Sequence, residues 1–337
     1  MIEIEKAKTE KLAEIIAKSK NILLLTHTNP DGDTVGAALG LGLLLGKKNK
    51  NVTIVSPDEV PDFLEWMQGA DDIIVYSGNK AAVEKAFQAS DLVFCMDFNA
   101  AHRTGDMSVL LENTTAVKVL IDHHLFPDEK FFDLMFSFPE VSSTSELLFT
   151  LLKESGFSDG IDKDIATAIF VGIMTDTGSF AHSCDRKEVF EITAELIDKG
   201  LKVKETYDKV YNSYSESRLR FLGYAISEKL VVISEKKAAY IWISLSEMQH
   251  YGVNEGDLEG LVNYALSIKG IELAILLKEK ADFIKLSFRS KKDFSVNKFA
   301  REHFDGGGHF NAAGGRSYIP MKETIEKLEL LIHKLNI

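Results

Sequence analysis

The chain has 337 residues, 45% of them hydrophobic, and a formal net charge of −12. This length accommodates two domains with buried cores, while the acidic balance argues against an extended basic groove for long nucleic acid, which must neutralise many phosphates. No apolar run reaches the length of a membrane span, and Cys95 and Cys184 lack the paired spacing of a disulfide or zinc framework. We therefore expect a cytoplasmic protein without membrane contact.

Short apolar runs alternate with helical patterns in the first half of the chain. This alternation predicts an α/β fold whose N-terminal, mostly parallel sheet has five or more strands and is flanked by helices. Ligands of such sheets collect beyond the carboxyl ends of the strands. The predicted strands are Asn21–Thr26, Asn51–Val55, Asp72–Val75, Asp91–Met96 and Ala116–Ile121.

The second half begins with a charged, helix-compatible segment, residues 185–227, which predicts a helical connector. A smaller α/β domain with a mixed sheet follows, and an amphipathic helix over Met321–Leu335 closes the chain. Its predicted strands are Leu230–Ile233, Ala238–Ile243, Ile271–Leu277 and Phe283–Phe288.

The first predicted strand ends in a loop that carries His27, Asp31 and Asp33. Asp31 and Asp33 flank a glycine, and two carboxylates this close cost energy unless a cation or a proton neutralises them. The alternative is structural, because Asp33 could cap a helix that begins near Thr34.

The sequence Asp122-His123-His124 follows another predicted strand. Adjacent side chains on an extended backbone point in opposite directions, so one histidine could bind a metal while the other faces substrate. Asp122 could accept the second N–H of a metal-bound imidazole. Taken alone, a His-His pair is more typical of solvated residues at a strand end.

Two further aspartates end predicted elements. Asp97 closes an apolar strand, and Asp176 ends a helical pattern that starts near Lys163. Each by itself is equally typical of a cap or turn. Because these clusters converge on one edge of the predicted sheet, together they predict a shared site.

These segments resemble the DHH phosphoesterases, a family named for Asp-His-His. The resemblance covers nearly the whole chain, and Asp305–Gly315 is similar to the signature of the small DHH-associated C-terminal domain. The four motifs match, in order, His27 with Asp31 and Asp33, then Asp97, then Asp122–His124, then Asp176. The resemblance implies a catalytic domain over residues 1–184, the connector over 185–227 and a substrate-binding domain over 228–337.

The resemblance also implies two manganese ions. A ligand set of carboxylates with a minority of imidazoles favours Mn²⁺ over calcium independently of the family, and the lack of thiolates removes one preference for zinc. Asp97 would bridge the ions. The implied ligands are His27, Asp31 and Asp97 for the first ion, and Asp33, Asp97, His123 and Asp176 for the second.

The implied chemistry is attack by a metal-activated hydroxide. Four carboxylates and two divalent ions would leave the site close to neutral, and paired ions lower the pKa of a water and stabilise phosphoryl charge. We predict catalytic roles for His124, Asp97 and Asp122, with His124 contacting phosphoryl oxygens or protonating the leaving group.

The second domain is predicted to hold the rest of the substrate. Arg289 ends a strand with a planar fork suited to phosphate, and successive glycines let backbone N–H groups approach a phosphate closely. The alternatives are an ordinary surface arginine and a flexible turn before a helix. Arg103 is a further candidate, whereas we interpret His102 as an ordinary residue. The predicted substrate-binding residues are Arg289, Gly306, Gly307, Gly308, His309 and Arg103.

The resemblance implies hydrolysis of short oligoribonucleotides to mononucleotides and conversion of pAp to AMP. Dinucleotides and pAp are then the expected substrates, and assembly into a homodimer is an open alternative. Rival hypotheses are a phosphodiesterase for cyclic dinucleotides or their linear products, a pyrophosphatase or exopolyphosphatase-like hydrolase, and a nucleotide-binding protein without catalysis. Gly306–His309 argues against the pyrophosphatase branch, and the complete ligand set argues against loss of catalysis.

Overall fold

The computed structural model describes residues 2–335. Contacts within the chain divide it into two compact units, Met1–Ser213 and Tyr214–Ile337. Within the described residues, no helix is both long and apolar enough to cross a membrane.

Unit 1 contains a parallel sheet. Its strands are β1 (Asn21–Leu25), β2 (Asn51–Ser56), β3 (Ile74–Val75), β4 (Leu92–Met96), β5 (Val117–Asp122) and β6 (Leu134–Ser137). They lie in the order β3-β2-β1-β4-β5-β6, and every neighbouring pair is parallel. The parallel α/β architecture is confirmed. The strand predicted from Asp72 begins only at Ile74, because Ala70–Asp72 forms a 3-10 turn, and the short edge strand β6 was not predicted.

Helices cover both faces of this sheet. They are α1 (Lys6–Lys18), α2 (Gly32–Lys47), α3 (Lys80–Ala89), α4 (Ser108–Asn113), α5 (Thr144–Glu154), α6 (Lys163–Asp176), α7 (Lys187–Asp198) and α8 (Val203–Tyr211). A Cβ atom at Gly36 of α2 would lie 2.4 Å from the Ala168 carbonyl oxygen of α6, and one at Gly32 would lie 2.4 Å from Thr175 Oγ1. Glycine therefore allows the two buried helices to approach closely. As a result, the first turn of α2 meets the last turn of α6.

Unit 2 contains the predicted mixed sheet. Its elements are α9 (Glu216–Glu228), β7 (Leu230–Ile233), β8 (Ala238–Ile243), α10 (Leu245–Tyr251), α11 (Leu261–Ser267), β9 (Leu273–Glu279), β10 (Ile284–Ser290), α12 (Val296–His303), β11 (Gly307–Gly308), β12 (Ala312–Ser317) and α13 (Met321–Lys334). The order is β11-β12-β10-β9-β8-β7, in which only β8 and β9 pair in parallel. One apolar cluster packs α12 and α13 on the sheet, and another packs α9 to α11 on it.

Candidate active site

His27 follows β1 and is buried, with 4% of its surface exposed. Its Nδ1 lies 2.9 Å from the Thr28 carbonyl oxygen. Because a carbonyl can only accept, Nδ1 carries the proton, and Nε2 is the nitrogen directed at Asp97 Oδ2 (3.3 Å) and Asp31 Oδ2 (3.8 Å). Burial lowers the pKa of His27. The neutral imidazole, the form that binds metals, is therefore favoured.

Asp31 is the N-cap of α2. Its Oδ1 accepts from the backbone N–H groups of Asp33 (3.0 Å) and Thr34 (3.2 Å), while Oδ2 faces His27. The sequence alternative in which Asp33 caps the helix is therefore wrong. Asp33 lies inside the first turn of α2, and its side chain is buried.

The carboxylate of Asp33 is fully buried and lies at the N-terminus of α5. Its oxygens accept from the backbone N–H groups of Thr144 (2.6 Å) and Ser145 (2.9 Å). Burial, together with the charges of Asp97 and Asp176, raises the pKa of Asp33 well above its usual range. A nearby cation would lower the free-energy cost of keeping the Asp33 carboxylate charged.

Asp97 immediately follows β4 and has a left-handed backbone with φ of +64°. Such a conformation is uncommon for a residue with a side chain and is frequent at functional sites. The side chain is buried, and Thr144 Oγ1 donates to its Oδ1 over 2.9 Å. Burial above all, with a contribution from Asp31, raises the pKa of Asp97 to about 7.

His123 lies among Asp33, Asp97 and Asp176, which together form the His123 group, whereas His27, Asp31 and Asp97 form the His27 group. Its Nδ1 lies 3.4 Å from the Val141 carbonyl oxygen, and its Nε2 lies 3.2 Å from Asp176 Oδ2, 3.4 Å from Asp97 Oδ1 and 3.9 Å from Asp33 Oδ2. Burial alone would lower the pKa of His123, but the hydrogen bond to Asp176 and the surrounding carboxylates raise it well above its usual range. Asp97 thus presents one oxygen to His27 and the other to His123.

His124 has a different environment. Its Nδ1–H donates to Asp122 Oδ1 over 2.7 Å. Burial would raise the pKa of Asp122, but the hydrogen bond and charge of His124 outweigh it and lower that pKa. Asp122 therefore orients His124, whereas the carbonyl of Val141 orients His123.

The donor chemistry fits two divalent cations. Ligand atoms of His27, Asp31 and Asp97 lie within 4.8 Å of one another, and so do those of Asp33, Asp97 and His123. Each imidazole directs Nε2 inward while Nδ1 contacts a backbone carbonyl, which is the usual arrangement of a metal-bound histidine. Burial above all, and the charges of neighbouring carboxylates in addition, raise the pKa values of Asp33 and Asp97, and a nearby cation would favour their charged forms.

Arg103 lies in a 3-10 segment, Ala101–Met107, after Asp97. Its carbonyl accepts from Thr28 N–H over 2.8 Å, and its charge contributes to lowering the pKa of His27. Arg103 is therefore a neighbour of the His27 group. Its role in substrate binding stays a prediction.

The predicted substrate-binding residues of unit 2 lie on or beside strands that both pair with β12: Arg289 is in β10, Gly307 and Gly308 form β11, and Gly306 and His309 flank β11. Arg289 in β10 pairs with Ala312 of β12, and the His309 N–H donates to the Ala312 carbonyl over 2.7 Å.

The glycine run in unit 2 forms a strand rather than a turn before a helix. Gly307 in β11 pairs with Gly314, and a Cβ at Gly306 would lie 2.1 Å from the Gly314 carbonyl oxygen. Gly308 has φ of +146°. Close strand pairing therefore requires glycine at positions 306 and 308, whatever the role of the run toward phosphate.

Sequence reasoning did not single out Thr144 and Ser145. The available signal was the run Ser142-Ser143-Thr144-Ser145-Glu146, because serine followed three residues later by glutamate is typical of a helix N-terminus. Ser143 is indeed the N-cap of α5. What the sequence could not show is that this helix begins against Asp33 and Asp97.

Comparison with known proteins identifies the family. Residues 21–173 match the N-terminal domain model of the DHH family, and residues 235–336 match the DHHA1 domain model. The crystal structure of an exopolyphosphatase-related protein from Bacteroides fragilis is 38% identical, covers 99% of this chain and 98% of its own, and has a TM-score of 0.93. The chain belongs to the DHH family.

Two named relatives agree with this membership. The bifunctional oligoribonuclease and PAP phosphatase NrnA of Thermus thermophilus is 28% identical and covers 90% of this chain and 86% of its own. The protein of the same name from Bacillus subtilis is 27% identical and covers 92% and 93%. This DHH-family chain is accordingly a phosphoesterase, a hydrolase of phosphate esters, and its acidic and histidine groups could hold divalent metal.

Proposed function

We propose that the chain is a manganese-dependent phosphoesterase that hydrolyses short oligoribonucleotides to mononucleotides and dephosphorylates pAp to AMP. The printed names of the two NrnA relatives support this substrate class. The observation that carries the proposal is Asp97, whose two oxygens face two separate histidine–carboxylate groups. We propose His27, Asp31 and Asp97 as ligands of one ion, and Asp33, Asp97, His123 and Asp176 as ligands of the other.

Two divalent ions, when bound, activate a water molecule and stabilise negative charge on the phosphoryl oxygens. His27 and His123 present Nε2 because their Nδ1 atoms contact backbone carbonyls. Because Nδ1–H of His124 donates to Asp122, we assign Nε2 to the substrate: when Nε2 also carries a proton, it can donate to a phosphoryl oxygen or give that proton to the leaving group.

We further propose that Arg103 binds substrate beside the His27 group and that Arg289 and His309 bind substrate from unit 2. A guanidinium matches the geometry of phosphate oxygens. In unit 2, the pairing of β11 with β12 holds the His309 backbone in place, and Arg289 lies on the adjoining strand.

A second candidate is an exopolyphosphatase-like hydrolase. It is favoured by the name of the Bacteroides fragilis relative, the exopolyphosphatase-related protein with 38% identity. The same metal chemistry would serve both substrates, so the difference lies in recognition of the nucleoside.

Initial rates with Mn²⁺ on a substrate panel distinguish these functions. The panel contains pAp, a diribonucleotide, a 24-nucleotide RNA, a cyclic dinucleotide, pyrophosphate and polyphosphate. We expect pAp and the diribonucleotide to be hydrolysed fastest. Rapid cleavage of polyphosphate or pyrophosphate with inert diribonucleotide would support the second candidate, and rapid opening of the cyclic dinucleotide with inert pAp would also overturn our assignment.

A further inference from the structure

The N-terminus of α5 contacts two of the buried carboxylates at once. Thr144 donates its backbone N–H to Asp33 Oδ2 and its hydroxyl to Asp97 Oδ1. Ser145 donates its backbone N–H to Asp33 Oδ1. A single residue therefore links a carboxylate of α2 to the carboxylate that follows β4.

The contact is selective for one side of Asp97. Oδ1 receives the Thr144 hydroxyl and faces His123, whereas Oδ2 faces His27. Asp33, the other carboxylate that Thr144 contacts, also lies toward His123. Of the two carboxylates that accept from Thr144, Asp33 lies toward His123, and Asp97 is contacted at Oδ1, the oxygen that faces His123.

The Asp33 carboxylate also lies against α6. A Cβ atom at Gly172 would lie 2.7 Å from Asp33 Oδ1 and 2.0 Å from Ser145 Oγ. The Asp33 carboxylate therefore lies close to both α5 and Gly172 of α6.

We infer that Thr144 is a positioning residue that fixes Asp33 and Asp97 in the geometry needed by the divalent ion of the His123 group. This inference rests on the metal-binding role proposed above. Thr144 need not touch an ion, because a hydrogen bond to a ligand oxygen fixes the orientation of that ligand. Removal of such a hydrogen bond typically lowers metal affinity about 10- to 100-fold.

The test is direct Mn²⁺ binding by calorimetry, without substrate. Wild type should bind two ions. Thr144→Val removes the hydroxyl while keeping the branched shape, and should weaken one binding step about 10- to 100-fold while leaving the other nearly unchanged. Thr144→Ser, which keeps the hydroxyl, should restore the weakened step. His123→Ala and His27→Ala identify which step belongs to which group.

Ser143→Ala is the matched control on the same helix. Ser143 caps α5 through Glu146 N–H, and its side chain has no described bond to Asp33 or Asp97. It should lower thermal stability but leave both binding steps intact. If Ser143→Ala reproduces the Thr144→Val loss, the effect is general fraying of α5 and the inference is wrong.

Gly172→Ala provides a second route if Thr144→Val does not fold. It should weaken the same step by displacing Asp33, whereas Gly46→Ala, also in a helix but with no atom within 4 Å of the added Cβ, should not. Unchanged binding in a folded Thr144→Val, or in Gly172→Ala where the valine variant does not fold, overturns this inference alone. A wild-type protein that binds no Mn²⁺ overturns the proposed metal site as well.

Discussion

The carboxylate–histidine site of unit 1 and a lysine cluster of unit 2 concentrate charge in opposite ways. In unit 1, Asp33 and Asp97 are buried beside other carboxylates, with no lysine or arginine ion-paired to them among the described residues. In unit 2, Glu255 contacts Lys278 (3.3 Å), Lys280 and Lys285 (3.0 Å).

The pKa shifts differ accordingly. Burial raises the pKa of Asp97 to about 7. Burial would also raise that of Glu255, but Lys285 and Lys278 outweigh it and bring the pKa to about 2. Burial and the charge of Lys285 lower the pKa of Lys278 to about 8, so the cluster stabilises its carboxylate more than its buried lysine. Buried carboxylates without a paired lysine or arginine, as in unit 1, are therefore a better indicator of a metal site than carboxylates paired with lysines, as in unit 2.

The largest expected effect is that of Asp97→Ala. Removing the shared carboxylate should lower kcat/KM for diribonucleotide at least about 1,000-fold, as expected when a residue acting with others in one catalytic unit is lost. It should also weaken Mn²⁺ binding. Steady-state kinetics and calorimetry check both effects, with the exposed Asp106→Ala as control. Normal Mn²⁺-dependent hydrolysis by Asp97→Ala would refute the site assignment.

Metal should stabilise unit 1 and leave unit 2 largely unchanged. A ligand at 100 times its Kd stabilises the native state by about 2.7 kcal/mol. Hydrogen–deuterium exchange with Mn²⁺ or with EDTA should therefore differ for β4, β5 and the start of α5, but hardly for β9 and β10. If Mn²⁺ slowed exchange in β9 and β10 as much as in β4 and β5, the contrast between the two regions would be wrong.

His309→Ala should act on substrate binding more than on chemistry. We expect KM to rise about 10-fold, a loss of about 1.4 kcal/mol of binding, with kcat little changed. Initial rates over a range of pAp concentrations measure the two constants, and His333→Ala on the exposed side of α13 is the control. A large fall in kcat at unchanged KM would place His309 in the chemical step instead.

The smallest effect concerns Glu255→Gln. The depressed pKa of Glu255 means that its contribution is present above the unfolded value of 4.5 and is lost as pH falls toward about 2. With about a third of the Glu255 side chain exposed, screening reduces the contribution to about 1 kcal/mol.

Urea unfolding followed by Trp242 fluorescence, in proteins whose other tryptophan is replaced (Trp66→Phe), should therefore show an effect of Glu255→Gln at pH 7 that shrinks by pH 3. The exposed pair Lys298–Glu302 gives a control in Glu302→Gln, for which little change is expected. A difference that persists at pH 2 would assign the effect to packing rather than charge.

Sequence periodicity predicted most of the strands and the placement of chemical groups beyond them. Apolar runs that end in His27, Asp97 or Asp122 identify both a buried parallel strand and its functional edge. Edge strand β6 was missed because only four residues, with alternating burial, form it.

Other features depend on tertiary contacts that a local pattern does not contain. The choice of Asp31 over Asp33 as helix cap follows from where α2 begins. The position of Thr144 depends on α5 meeting α2 and β4, which are distant in sequence. The pairing of β11 with β12 likewise explains glycines that a linear pattern assigned to a phosphate loop or a turn.

The most direct test of the central claim is anomalous diffraction at the manganese edge from crystals grown with MnCl₂. We predict two peaks in unit 1, one beside His27, Asp31 and Asp97 and one beside Asp33, His123 and Asp176, with Asp97 contacting both. An absence of peaks at this cluster, under conditions in which the enzyme hydrolyses diribonucleotide, would contradict the account.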